Sequence, residues 1–173
     1  MMPHMAEVWL RNLPVTTDPL RHLLLCTLQQ AEEDVVATTA GLTDEQVWLR
    51  PHGLTPIGFH IRHIAESIDR LLTYAEGRNL EPAQLSTLKS ELTETLPLLS
   101  LLVILEQRLK EARLRLNALR EEDLKEIREI GRARIPSPAG TILAHIAEHT
   151  QRHLGQLTTT VKLIQSTQAG NPA

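Results

Sequence analysis

The chain has 173 residues, 42% of them apolar, and a formal net charge of -3. That length suits one domain with one core, and the interspersed charges, with only 2% aromatics, offer neither a basic stripe nor a base-stacking platform, which disfavours nucleic-acid binding. One cysteine excludes an internal disulfide framework, and the longest apolar stretch, Leu96 to Leu105, is about half a membrane span and contains Pro97 and Ser100, so no membrane partner is expected.

Residues 1–17 read as a leader. Met1 to Leu13 lacks a basic region followed by an apolar core, so no signal peptide is expected, and the protein is read as cytoplasmic. Trp9 and Arg11 are weak candidates to fold over a site mouth; a surface-anchoring Trp is the simpler reading. Asp18-Pro19 is an N-cap followed by proline at the first helical position, and the helix it opens stops at Gly41. Cys26 lies in the apolar run from Leu23, where a thiol is buried and inert rather than nucleophilic. Thr43 and Gln46 fit a capping box for a short helical turn. Pro51, Gly53 and Pro56 mark a loop under which Trp48 packs.

A second long helix opens at Thr55-Pro56 and ends at Gly77, with Ile57, Ile61, Ile64 and Ile68 as its apolar stripe. A polar, turn-prone stretch follows. A third helix runs from Leu98 to about Leu119; its first half is apolar nearly all round, so it is either deeply buried or shared with a second subunit in a homodimer. Glu121 to Ser137 is charged and ambiguous, and Arg128, Arg132 and Arg134 there read as a solvated basic loop or, less simply, a grip for carboxylates. Ser137-Pro138 opens a fourth helix that reaches about Gln165. The expectation is an all-α, up-down four-helix bundle over residues 18–166, with 167–173 as a frayed tail.

Five of the eight histidines fall in two windows on these helices: His60 and His63 on the second, and His145, His149 and His153 on the fourth. Imidazoles spaced by four stack on one helix face. Two of them plus a third from a neighbouring helix make most of a coordination sphere and leave a position open. A lone H-x-x-x-H is a weak signal, since boundary histidines are commonly just satisfied polar groups. Two clusters on two helices strengthen it. On an ideal wheel His149 and His153 edge the fourth helix's stripe, and His60 edges the second's, whereas His63 lies roughly 130° from that stripe's centre. Wheel geometry alone therefore favours His60. Glu66 and Glu148 are nearby carboxylates that could orient imidazoles, although a solvated face is the simpler role for each.

The chain resembles the DinB/YfiT-like superfamily of metalloenzyme-type, cytoplasmic four-helix bundles. The residues that carry the resemblance are Pro56-Ile-Gly58-Phe59 leading to His63-Ile-Ala-Glu66, and His149-x-x-x-His153-Leu-Gly-Gln156. It covers about Asp18 to Ile164. It implies a divalent metal (Zn, Ni or Fe) on His63, His149 and His153, with His60 and His145 as outer neighbours and Gln156 facing the site. It further implies an enzyme in which the metal activates a low-molecular-weight thiol for S-transfer to a small-molecule substrate. A metal-dependent hydrolase using water, and a non-enzymatic metal-binding bundle with a stress-response role, are the alternatives. In the last of these the sphere would be closed, completed by His60 or His145.

Overall fold

A computed structural model describes residues 6–11 and 18–169. Six α-helices carry most of it: α1 (Pro19–Thr39), α2 (Asp44–Trp48), α3 (Ile57–Ala75), α4 (Pro82–Ser90), α5 (Leu98–Ala118) and α6 (Ala139–Ala169). Their ends follow local chemistry. The Asp18 carboxylate accepts from the Leu20 and Arg21 amides at 2.9 and 3.3 Å, satisfying donors that the first turn leaves unpaired. Past the ends of α1 and α3, Gly41 and Gly77 take φ of +80° and +75°, the left-handed conformation that closes a helix. Thr43 and Gln46 form the reciprocal capping box of α2.

Two segments depart from expectation. The polar stretch after α3 contains α4, capped by a reciprocal Glu81–Gln84 pair with Pro82 in its first turn. The ambiguous charged segment holds a short antiparallel hairpin, β1 (Ile127–Ile130) and β2 (Ile135–Pro138), a small addition to a mostly helical fold that agrees with the all-α expectation. Gly131 and Arg134 supply its turn with φ of +67° and +51°. Arg128 donates to the Ala75 carbonyl at 3.0 Å and pairs with Glu126, and Arg134 pairs with Glu129. These arginines thus meet the hairpin and the end of α3, not the histidines. The last helix, expected to reach about Gln165, continues to Ala169; residues 170–173 lie outside the described set.

The long helices share one core. α6 lies against α1 and α3, and α5 lies against the same two. Into the space between them go Leu24, Leu28 and Val35 from α1, Ile57, Ile61, Ile64 and Ile68 from α3, Leu101, Leu105 and Leu109 from α5, and Ile142, Ile146 and Leu157 from α6. The apolar run at the start of α5 divides: Leu101 and Leu105 are core, while Leu99 and Val103 are 74% and 53% exposed. Deep burial therefore accounts for half of that pattern only.

The loop before α3 is locked by Trp48. Its indole Nε1 donates to the Leu96 carbonyl at 2.8 Å, and its ring lies across Gly58 so closely that a Cβ there would sit 2.6 Å from it. Glycine at 58 is what lets α3 start beneath the indole. In the leader, Arg11 holds Glu33 with two 2.7 Å bonds and the Val8 amide donates to Gln30, so the described part is tied to α1 and not folded over the histidines. The indole of Trp9 is largely exposed. Cys26 is buried, and burial raises its thiol pKa. No helix among the described residues is long and apolar enough to cross a membrane.

Candidate metal centre

α3 and α6, the most extensively packed pair, bring His63, His149 and His153 together, with one ring nitrogen from each lying within 4.8 Å of the others. Ring centroids are 4.5 Å apart for His63–His153 and His149–His153, and 5.0 Å for His63–His149. Phe59 stacks on His63 at 5.0 Å and 14°, one turn earlier on α3. All three imidazoles are partly open to solvent.

The outer nitrogens are held. His63 Nδ1 lies 2.6 Å from Glu91 Oε2, and Arg70 donates to the other Glu91 oxygen at 2.5 Å. Glu91 so oriented accepts the His63 Nδ1 proton, which leaves the lone pair on Nε2. Ser67 donates its hydroxyl to the Ile64 carbonyl and lies 3.4 Å from His149 Nδ1, so its oxygen can accept there. His153 Nδ1 lies 3.0 Å from His60 Nδ1, and the His60 ring also bonds the backbone of Thr55. Each clustered imidazole therefore has an orienting partner on its far side, the arrangement that outer neighbours of a metal ligand provide.

The inner nitrogens are left facing each other. His63 Nε2 and His149 Nε2 are 3.4 Å apart. With both protons on the Nδ1 side, two lone pairs point together, which repels unless a cation lies between them. Two ~2.0–2.1 Å metal–nitrogen bonds at a tetrahedral angle span about 3.3 Å. A three-imidazole set with this spacing fits a divalent ion.

Burial, then the like charge of neighbouring imidazoles, pushes His60, His149 and His153 down to about 4. The unfolded chain, with imidazoles near ~6.5, binds protons in a range where the folded one does not. Folding without metal is thus fully supported above pH 6.5, and that support drains as pH falls toward 4. Thermal melts of metal-free protein are expected to drop by several degrees across this window and to drop less in His149→Ala. A midpoint that is flat with pH would contradict the assignment.

His60 and His145 fare differently. His60 is buried behind His153. His145 is 44% exposed, pairs with Glu148 at 3.1 Å, and has its ring 5.5 Å from His149. Neither is among the three converging histidines. Of the carboxylates proposed to orient imidazoles, Glu66 pairs with Arg108, and Glu148 pairs with Arg152 and with His145, outside the three-histidine cluster. Glu91, the carboxylate that does face a clustered histidine, lies on no periodic pattern and was invisible to sequence reasoning; Ser67, one turn after His63 on α3, could have been found from helical spacing, and Thr55 acts through its backbone, which no side-chain pattern reveals. Gln156 lines a cavity of about 510 Å³ that it shares with His60, Thr55 and Arg152.

A mostly helical chain with three converging imidazoles is the kind of protein these features define. The sequence model of the DinB superfamily matches residues 27–157, and the chain belongs to that superfamily. No curated protein matches it.

Proposed function

We propose that the protein is a divalent-metal-dependent enzyme whose ion is held by His63, His149 and His153 in an up-down bundle of the four long helices. The observation that carries this reading is the facing pair of Nε2 lone pairs, 3.4 Å apart; a cavity lined by His60, the neighbour of His153, lies close by. Imidazole donors suit Zn, Ni or Fe. An ion there would supply Lewis acidity, bringing a coordinated low-molecular-weight thiol or a water toward its deprotonated form near neutral pH. The protein's own part is positional. Glu91, Ser67 and His60 fix the three rings; Gln156 and Arg152 offer polar groups at the cavity wall, where a small-molecule substrate would sit. S-transfer to an electrophile is the specific reading, in the cytoplasm, with a second copy docked on the Leu99 and Val103 face of α5. Hydrolysis by an activated water is the second reading, and the same open side of the cluster favours it. The closed-sphere binding protein has less support, because His60 turns to His153 and His145 to Glu148.

The test is conjugation of a small thiol to a chloro-dinitrobenzene or bimane reagent. Activity is expected to fall about a hundredfold or more on chelation, in His63→Ala and in His153→Ala. Cys26→Ser is expected to leave it nearly unchanged. Loss in Cys26→Ser with full activity in the histidine variants would overturn the mechanism. No reaction across a broad thiol panel would move hydrolysis ahead.

A further inference from the structure

We propose that the cavity beside the histidine cluster takes the apolar arm of a small molecule, and that Gly155 is the residue that keeps it open. This rests on reading the cluster as the reacting end of the site. The cavity, about 510 Å³, is of ligand size. Its polar lining is His60, Arg152 and Gln156, and His60 is the link to the cluster through its contact with His153. The remainder of its wall includes Leu54, Gly155, Thr159 and Thr160. Both threonine hydroxyls are already committed: Thr159 donates to the Gly155 carbonyl and Thr160 to the Gln156 carbonyl, each at 2.9 Å. A hydroxyl turned back onto its own helix leaves mainly the side chain's carbon for a ligand to meet. The wall therefore offers hydrogen-bonding groups at His60, Arg152 and Gln156 and chiefly carbon at Leu54, Thr159 and Thr160.

Gly155 is out of place on helix grounds. It sits inside α6, where glycine weakens a helix relative to alanine. The usual structural reasons fail. Its φ is not in the left-handed region, and a Cβ built on it meets no atom within 4 Å. At Gly58, by contrast, the Trp48 ring forbids a side chain. What a side chain at 155 would occupy is the cavity, two residues beyond His153. The chain thus forgoes helix stability at one position whose only visible consequence is open volume next to the cluster.

The ligand class follows: a small molecule whose reacting group reaches the histidines and whose unbranched or aromatic apolar arm runs along Leu54, Gly155 and Thr159. The probes are n-alkanols from butanol to octanol, titrated into metal-free and zinc-loaded protein and followed by amide chemical shifts. Shifts are expected at Gly155, Gln156, Thr159 and Thr160, and affinity is expected to rise about fourfold per added methylene, the ratio that ~0.8 kcal/mol per buried CH₂ gives. Gly155→Leu is expected to abolish hexanol and octanol binding while retaining the parent's zinc content. Gly155→Ala is expected to melt about 1–4 °C higher, as glycine replacement at an unstrained helical site does. Affinity independent of chain length, shifts centred elsewhere, or unchanged octanol binding in Gly155→Leu would each overturn the proposal. A chain that binds no zinc yet binds octanol at Gly155 defeats the metal reading and leaves the apolar-arm site standing.

Discussion

Purified without a histidine tag, the protein is expected to carry one divalent ion per chain, and His149→Ala and His153→Ala to carry almost none. The expectation comes from ligand arithmetic. Three imidazole nitrogens converge within 4.8 Å, and removing one leaves two. Loss of an outer orienting group typically weakens metal binding 10–100-fold, so loss of a ligand should exceed about a hundredfold. The same scale predicts a graded series. His60→Ala, which removes only the group behind His153, should weaken binding about 10–100-fold. His145→Ala should change it little, because that ring pairs with Glu148 at the surface. Elemental analysis of the parent and the three classes of variant provides the check. Equal metal in His149→Ala and the parent would remove the hypothesis.

The second large effect is expected at Glu91. It is 2% exposed and bridges Arg70 to His63. Glu91→Ala leaves the Arg70 guanidinium buried without its carboxylate. Breaking one side of a buried pair costs about 3–5 kcal/mol, which in a chain of this size lowers the melting midpoint by roughly 6–20 °C. Replacing both partners by apolar residues, as in Arg70→Met with Glu91→Leu, should recover most of that stability, since no buried charge is stranded. The double variant should still bind metal about 10–100-fold more weakly, because His63 Nδ1 has lost its acceptor. Calorimetry and metal titration on the single and double variants separate the two roles. If the double variant regained full metal affinity, Glu91 would be a purely structural residue.

What the sequence disclosed and what it hid divide along one physical line. Periodicity and caps are local, and they located the long helices, the capping box at Thr43 and the isoleucine stripe of α3. The same stripe assigned the wrong prominence on α3: an ideal wheel favours His60, which is buried, over His63, which the motif favours and which the structure places in the cluster. The wheel measures distance from the core stripe. His63 points toward Glu91, just past the end of α4, a direction that no wheel of α3 contains. Glu91 was hidden for a related reason. It meets His63 across 28 residues of chain, and α4 itself is nine residues of mostly polar character with an unusual Glu cap. The hairpin escaped because four-residue strands with two prolines in β2 carry too little alternation to register.

Four of the histidines also tie together parts of the chain that lie far apart along it. His63 meets His149 across 86 residues, and His60 meets His153 across 93. An ion held as proposed between α3 and α6 would bind the native state, with no comparable grip on the unfolded one. Mass action then makes it a clasp: at a free concentration about a hundred times Kd it adds ~2.7 kcal/mol to folding. With the ion bound as proposed, the chain's lifetime would become a function of metal supply: under starvation the empty chain would open more often between α3 and α6 and proteases would find it sooner, and on repletion it would persist. Abundance itself would then follow the local metal pool, with no sensor or transcriptional circuit involved.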